Sequence, residues 1–143
     1  MKCTVHIDKE RAEEVIVYAH APSPLTEEIR RLCDAETREV IGYRDEEARP
    51  LTARDVCCFV VEDNKIYART MQGTYRVKAR LYQLEEMLSD GFVKINQSCL
   101  ANVSRIEKFG TSFTGTLTVT FHNGYCDYVS RRNVKYIKER FGL

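Results

Sequence analysis

The sequence predicts an α+β fold: a mainly antiparallel β domain carrying two helices, preceded by a small β-β-α lobe. Three observations point there. Between residues 51 and 143, short β-rich runs are separated by turn residues, at Asp63-Asn64, Gln72-Gly73 and His122-Asn123-Gly124. Such tight joints impose antiparallel pairing, because a parallel return needs a long crossover. Two stretches, "RLYQLEEMLSDG" and "RRNVKYIKERFGL", instead repeat apolar residues at helical spacing.

Taken in order, residues 2–7 and 14–20 alternate polar and apolar, which predicts two strands. "PSPL" breaks the pattern. Leu25, Ile29, Leu32 and Cys33 then share a helical face, with Ser23 as N-cap and Pro24 as first helical residue. "REVIGYR" (38–44) predicts a short strand. "DEEARP" (45–50) is the expected boundary, separating an N-terminal lobe (1–48), suited to dimerisation or regulation, from a second domain (50–143). That domain opens with strands at 55–62, 65–70 and 74–79. A helix follows through Leu81, Leu84 and Leu88, with Gly91 expected to end it in a left-handed conformation. "FVKIN" predicts a strand, and "QSCLANVSRI" an irregular stretch or one helical turn. "SRIEKFG", "GTLTVTF" and "YCDYVS" predict further strands, the last two joined by a tight Asn-Gly hairpin. The closing helix aligns Val134, Ile137 and Phe141.

Composition narrows the class. Of 143 residues, 43% are hydrophobic and 30% charged, the balance of an ordinary globular domain. No apolar run approaches the ~20 residues of a membrane span. The polar N-terminus carries no signal-peptide pattern, so a cytoplasmic location is expected. Cys3, Cys33, Cys99 and Cys126 are isolated, Cys57 and Cys58 adjacent, and no C-x-x-C occurs. Buried free thiols are therefore expected, without disulfides or zinc. His6, His20 and His122 are scattered, and neither a metal nor another cofactor is predicted. No Ser-His-Asp order, nucleophile elbow or phosphate-cradling loop is legible. Glu85 and Glu86 read as a solvated helix face, and no enzymatic activity is expected.

Charge is unevenly spread. Residues 1–50 hold 8 Lys+Arg against 12 Asp+Glu, a net of −4, and residues 51–143 hold 14 against 9, a net of +5. The basic second half suggests a polyanionic partner. Arg131 and Arg132 sharpen this. They stand at a predicted helix start, where the backbone is already positive and cations are disfavoured unless an anion lies near. Asn96, Gln97 and Ser98 form a polar triplet. Asn and Gln side chains can bond adenine bidentately in a major groove. The same residues can equally stabilise a turn through bonds to backbone.

"FVKINQSCLANVSRIEKF", the "HNG" hairpin and "DYVSRRNVKYIKERFGL", in that order and spacing, resemble the LytTR DNA-binding domain over about residues 50–143. The resemblance implies a stand-alone bacterial transcription regulator that reads double-stranded DNA with loops and a helix N-terminus in successive major grooves. It implies base contacts at Asn96, Gln97, Ser98, Arg131 and Arg132, with Arg132 reaching guanine and Arg131 phosphate. Backbone or secondary contacts fall to Asn64, Lys65, Lys94, Arg105, Lys108 and Lys135. The first turn departs from the family pattern, being short and carrying Asp63, which weakens base reading there. A homodimer is implied, because paired DNA half-sites suit symmetric proteins. A small membrane protein is a further implied partner, since stand-alone members are often encoded beside one. Two other readings stay open: a ligand-sensing or protein-interaction module, favoured by the acidic lobe, and an RNA or single-strand binder, favoured by Tyr67, Tyr75 and Tyr82.

Overall fold

The computed structural model describes residues 2–143, apart from the side chains of residues 35–37. Helix α1 (Pro24–Thr37) begins where the capping signal places it. The Ser23 hydroxyl accepts the Thr26 N–H at 3.2 Å, and Thr26 Oγ1 accepts the Ser23 N–H at 2.9 Å. The chain before it departs from expectation. Residues 2–23 contain no strand, and Val5, Ile7, Val15, Ile16 and Tyr18 are exposed. Alternation makes a strand only when a partner edge accepts its amides, and among the described residues none does.

Strands β1 (Glu39–Arg44) and β2 (Glu47–Thr52) form a hairpin about Asp45 and Glu46, both at positive φ (51° and 67°). The stretch expected to separate two units (45–50) is thus the tip of a hairpin and the first part of its second strand, and Tyr43 of β1 pairs with Arg76 farther along the chain. Strands β3 (Val56–Glu62) and β4 (Lys65–Thr70) turn the same way through Asp63 and Asn64, at φ of 50° and 62°. Then come β5 (Thr74–Val77), helix α2 (Leu81–Met87), β6 (Phe92–Asn96) and β7 (Cys99–Asn102). These seven strands form one antiparallel sheet in the order β2-β1-β5-β4-β3-β7-β6. A second sheet orders β10 (Cys126–Tyr128), β9 (Leu117–Phe121) and β8 (Ile106–Thr111). Helix α3 (Arg131–Phe141) closes the chain, and Gly142 ends it at φ 69°.

Two cores flank the large sheet. On one face Leu81 and Leu84 of α2, with Leu88 at its C-cap, cover Val56, Phe59, Ala68, Val77 and Leu100. On the other, Val119, Phe121, Val129 and Ile137 cover Cys58, Val60, Ile95 and Cys99. Strand β3 lies between both, which is why "VCCFVV" is apolar without alternation; a bulge between Val56 and Cys58 shifts its register. β1 approaches its neighbours closely. A Cβ on Gly42 would lie 2.5 Å from Leu51 Cδ1 and 2.8 Å from Tyr75 Cβ. Cys57, Cys58 and Cys99 are buried thiols as expected, whereas Cys3 and Cys126 are exposed. No helix among the described residues is long and apolar enough to cross a membrane.

Two local expectations need correction. "CLAN" is a strand, and only Val103–Arg105 after it forms the expected helical turn: β7 is buried throughout, so it lacks the alternation that would have marked it. Gly91 is not left-handed; helix α2 instead ends at Leu88, with φ −113° and ψ 23°.

Candidate nucleic-acid interface

Three segments distant in sequence meet at one end of the large sheet. The first is the β3–β4 turn, where Asn64 and Lys65 are exposed. The second is the β6–β7 turn, Gln97 and Ser98, both exposed. They are neighbours because β7 pairs with β3, and Val61 N–H donates to the Ser98 carbonyl at 2.9 Å. The third is the start of α3. Ser130 N–H donates to the Ile95 carbonyl at 2.9 Å, so the helix starts against the end of β6.

Asn96 fastens this junction. Its Nδ2 donates to Asp127 Oδ1 at 3.1 Å and to the Tyr128 carbonyl at 2.8 Å, while its Oδ1 accepts the Ser98 N–H at 2.8 Å. With 1% of its surface exposed, it has nothing to offer a base edge. Its role differs from the base contact that the resemblance implies: it shapes the β6–β7 turn and ties that turn to the strand leading into α3. Asp127 is held in turn by the Tyr125 hydroxyl at 3.0 Å and the Tyr128 N–H at 2.8 Å. Burial, followed by the Asp127 charge, pushes the Tyr125 phenol well above its ordinary range, so it stays a donor.

Arg131 and Arg132 open α3 on the solvent side, both exposed. Among the described residues neither has an ion-pair partner. The first turn contains no acidic residue, and the Ser130 hydroxyl makes no capping bond. The positive end of the helix is thus left uncompensated by the protein, with two guanidinium groups added to it. Such an end is complementary to phosphate.

The other cations divide. Lys65, Lys108 and Lys135 are exposed and Lys94 is half-buried. Arg105 belongs elsewhere. Its Nε donates to the Arg54 carbonyl at 2.7 Å and its Nη2 lies 3.6 Å from Asp55. Those partners precede β3, whereas the Asp63–Asn64 turn follows it, and seven extended residues span about 20 Å. Arg105 is therefore a structural tie at the far end. Two features at the near end escaped the sequence reading. The exposed loop between β8 and β9 adjoins the α3 start, because Val129 N–H donates to the Leu117 carbonyl at 2.8 Å. It carries the hydroxyls of Ser112 and Thr114 and a fully exposed Phe113. Tyr128, half-exposed, lies just before Arg131. Only "TSFTGT", small and polar around one aromatic, hinted at such a loop.

The family model of the LytTr DNA-binding domain matches residues 46–142. The chain belongs to the LytTR family. Among curated relatives, an uncharacterized HTH-type transcriptional regulator of Staphylococcus aureus strain MSSA476 is 29% identical over 148 residues, covering 100% of this chain and 99% of its own. A counterpart of the same description from strain NCTC 8325 / PS 47 matches with the same identity and coverage. Among solved structures, a LytTr DNA-binding domain from Bacillus cereus aligns with a TM-score of 0.68 and 23% identity, covering 73% of this chain and 97% of that one. That likeness concerns the fold. In this LytTR chain, no two helices among the described residues are joined by a short turn, so the relatives' label does not describe its geometry. The matched region also starts inside the β1–β2 hairpin and leaves α1 outside.

Proposed function

We propose that this LytTR protein is a transcription regulator that binds double-stranded DNA through the sheet end where the β3–β4 turn, the β6–β7 turn and the α3 start meet. The observation that carries the reading is the pair Arg131 and Arg132, exposed and without internal ion pairs among the described residues, beside Gln97 and Ser98. Two arginines at a positive helix end raise the energy of the free protein, and a phosphate-lined groove relieves it. Arg132 reaches guanine O6 and N7 and Arg131 a phosphate. Gln97 and Ser98 face base edges from the adjoining turn, with Asn96 holding that turn in place. Asn64, Lys65, Lys94, Lys108 and Lys135 contact backbone and fix register without reading sequence. The protein acts as a homodimer on paired half-sites, and a small membrane protein is a candidate regulator of it.

The test is selection of bound duplexes from a random pool, repeated at two salt concentrations. Paired motifs are expected at both, with each phosphate-contacting lysine adding about 0.9 to the slope of log K against log salt. Arg132→Ala should relax selection at one base pair, costing about 1–3 kcal/mol on the selected duplex and less on a scrambled one. Equal losses on both duplexes would reduce Arg132 to a phosphate contact, and a pool without enrichment would defeat the reading.

A further inference from the structure

Residues 14–20, "EVIVYAH", lie between two fixed points. Just before them the Glu13 carboxylate meets Arg54 Nη1 at 2.6 Å, and just after them Ser23 caps α1. The segment belongs to no strand, and among the described residues its backbone exchanges no hydrogen bond. Val15, Ile16 and Tyr18 are 63%, 61% and 92% exposed, and Val17 is exposed too. Four consecutive β-branched or aromatic residues favour a strand, and a row of unpaired amides is a template for pairing with another chain.

The candidate partner strands are unequal. Pairing with residues 2–8 so that the apolar faces align sets Val5 opposite Val17, and it brings Asp8 opposite Glu14. Like charges in direct register destabilise a strand pair. The free edge of the large sheet is β2, whose Pro50 has no N–H to give. A second copy of residues 14–20, antiparallel about Val17, matches at every position. Ile16 falls opposite the partner's Tyr18, the β-branched and aromatic pairing that stabilises sheets. Glu14 falls opposite the partner's His20, a carboxylate acceptor against an imidazole N–H donor. On the other face Val15 meets the partner's Ala19, and Val17 meets its own counterpart at the axis. Two-fold symmetry makes each of the unlike pairs twice.

We infer that residues 14–20 of two copies pair as antiparallel strands about Val17 and so join the homodimer. This rests on the homodimer of the proposed function and names its contact, which forms without DNA. The full chain is followed by sedimentation equilibrium in the absence of DNA. The wild type should dimerise in the micromolar range. Val17→Lys places two like charges face to face at the axis and should leave a folded monomer, since Val17 is exposed within one copy. Glu14→Lys should weaken the dimer about tenfold, and adding His20→Glu should restore it, because the pair is then reversed in sign. That charge exchange keeps the test intact if Val17→Lys misfolds. The register is read by oxidation in a Cys3→Ser, Cys126→Ser background, which removes the exposed thiols. Directly opposed Cα atoms lie about 4.5–5.5 Å apart, within disulfide reach, so Val17→Cys should cross-link and Val15→Cys should not. A wild type that is monomeric throughout that range overturns the inference, while paired motifs in the duplex selection would still carry the homodimer. A dimer that survives Val17→Lys, no rescue by the charge exchange, or equal cross-linking at 15 and 17 would also overturn it, leaving the homodimer to another surface.

Discussion

Asn96→Ala separates two roles that the sequence alone left open. As a base contact, Asn96 would matter to DNA and little to folding. As the brace seen in the fold, its loss removes three hydrogen bonds, to Asp127, to the Tyr128 carbonyl and from the Ser98 N–H. At about 0.5–1.5 kcal/mol each, the sum is about 1.5–4.5 kcal/mol. Asp127 keeps its bonds from Tyr125 and the Tyr128 N–H, so its carboxylate is not stranded. The Tyr128 carbonyl loses a side-chain donor beside a buried position. A destabilisation of about 2–4 kcal/mol is therefore expected, measured by urea unfolding at fixed protein concentration. Fluorescence anisotropy on selected and scrambled duplexes supplies the second readout. With the β6–β7 turn loosened from the α3 start, affinity for both duplexes should fall by a similar factor. An unfolding midpoint within experimental error of the wild type, together with lost discrimination between the duplexes, would refute the brace and restore the base contact.

Gln97→Ala makes the complementary change: exposed at the turn, it should leave the unfolding midpoint nearly untouched while reducing discrimination at one base step, read by the same two assays. Gly42→Ala should destabilise by about 1–3 kcal/mol in urea unfolding, because the new methyl meets Leu51 and Tyr75 in a packed core. Removing residues 2–22 should change stability by no more than about 1 kcal/mol, since the Glu13–Arg54 pair is exposed; analytical ultracentrifugation of the truncated chain then tests whether this segment serves dimerisation. Tyr125 sets a pH prediction. Burial and Asp127 raise its folded value above the ordinary 10.0, so the folded state holds the phenolic proton more tightly than the unfolded chain does. The stabilisation is complete below pH 10.0 and fades as pH climbs toward the folded value. The stability gap between wild type and Tyr125→Phe should accordingly narrow above that pH, followed by urea unfolding across an alkaline series.

What the sequence disclosed depended on whether the signal was local. Ser23 and Pro24 announced the start of α1 because a capping box is made within four residues. The Asp63–Asn64 turn was legible for the same reason. Strands at 2–7 and 14–20 were misread because alternation describes a half-buried face, and burial needs a partner that no local window contains. β7 was hidden by the opposite circumstance: Cys99, Leu100, Ala101 and Asn102 are all buried, so both faces look alike. Within the interface, the triplet at 96–98 was legible as a unit but not in its division of labour. Asn96 and Gln97 carry the same amide on side chains of similar length. Only the return of the chain at Asp127 and Tyr128, thirty-odd residues later, draws one inward and leaves the other out. Arg105 shows the same limit, its cationic character visible but its attachment to Asp55 not.

The backbone link from Ser130 to Ile95 has a consequence for how such a protein can change its preferences. Because the helix is anchored to a strand by main-chain atoms, its angle to the neighbouring turn is cast by the scaffold and does not bend to suit a target. If the proposed interface reads DNA, new specificity would come by exchanging the heads at Gln97, Ser98, Arg131 and Arg132, as a printer swaps type in a locked frame. An added or deleted residue in that short turn would shift the whole line of type at once.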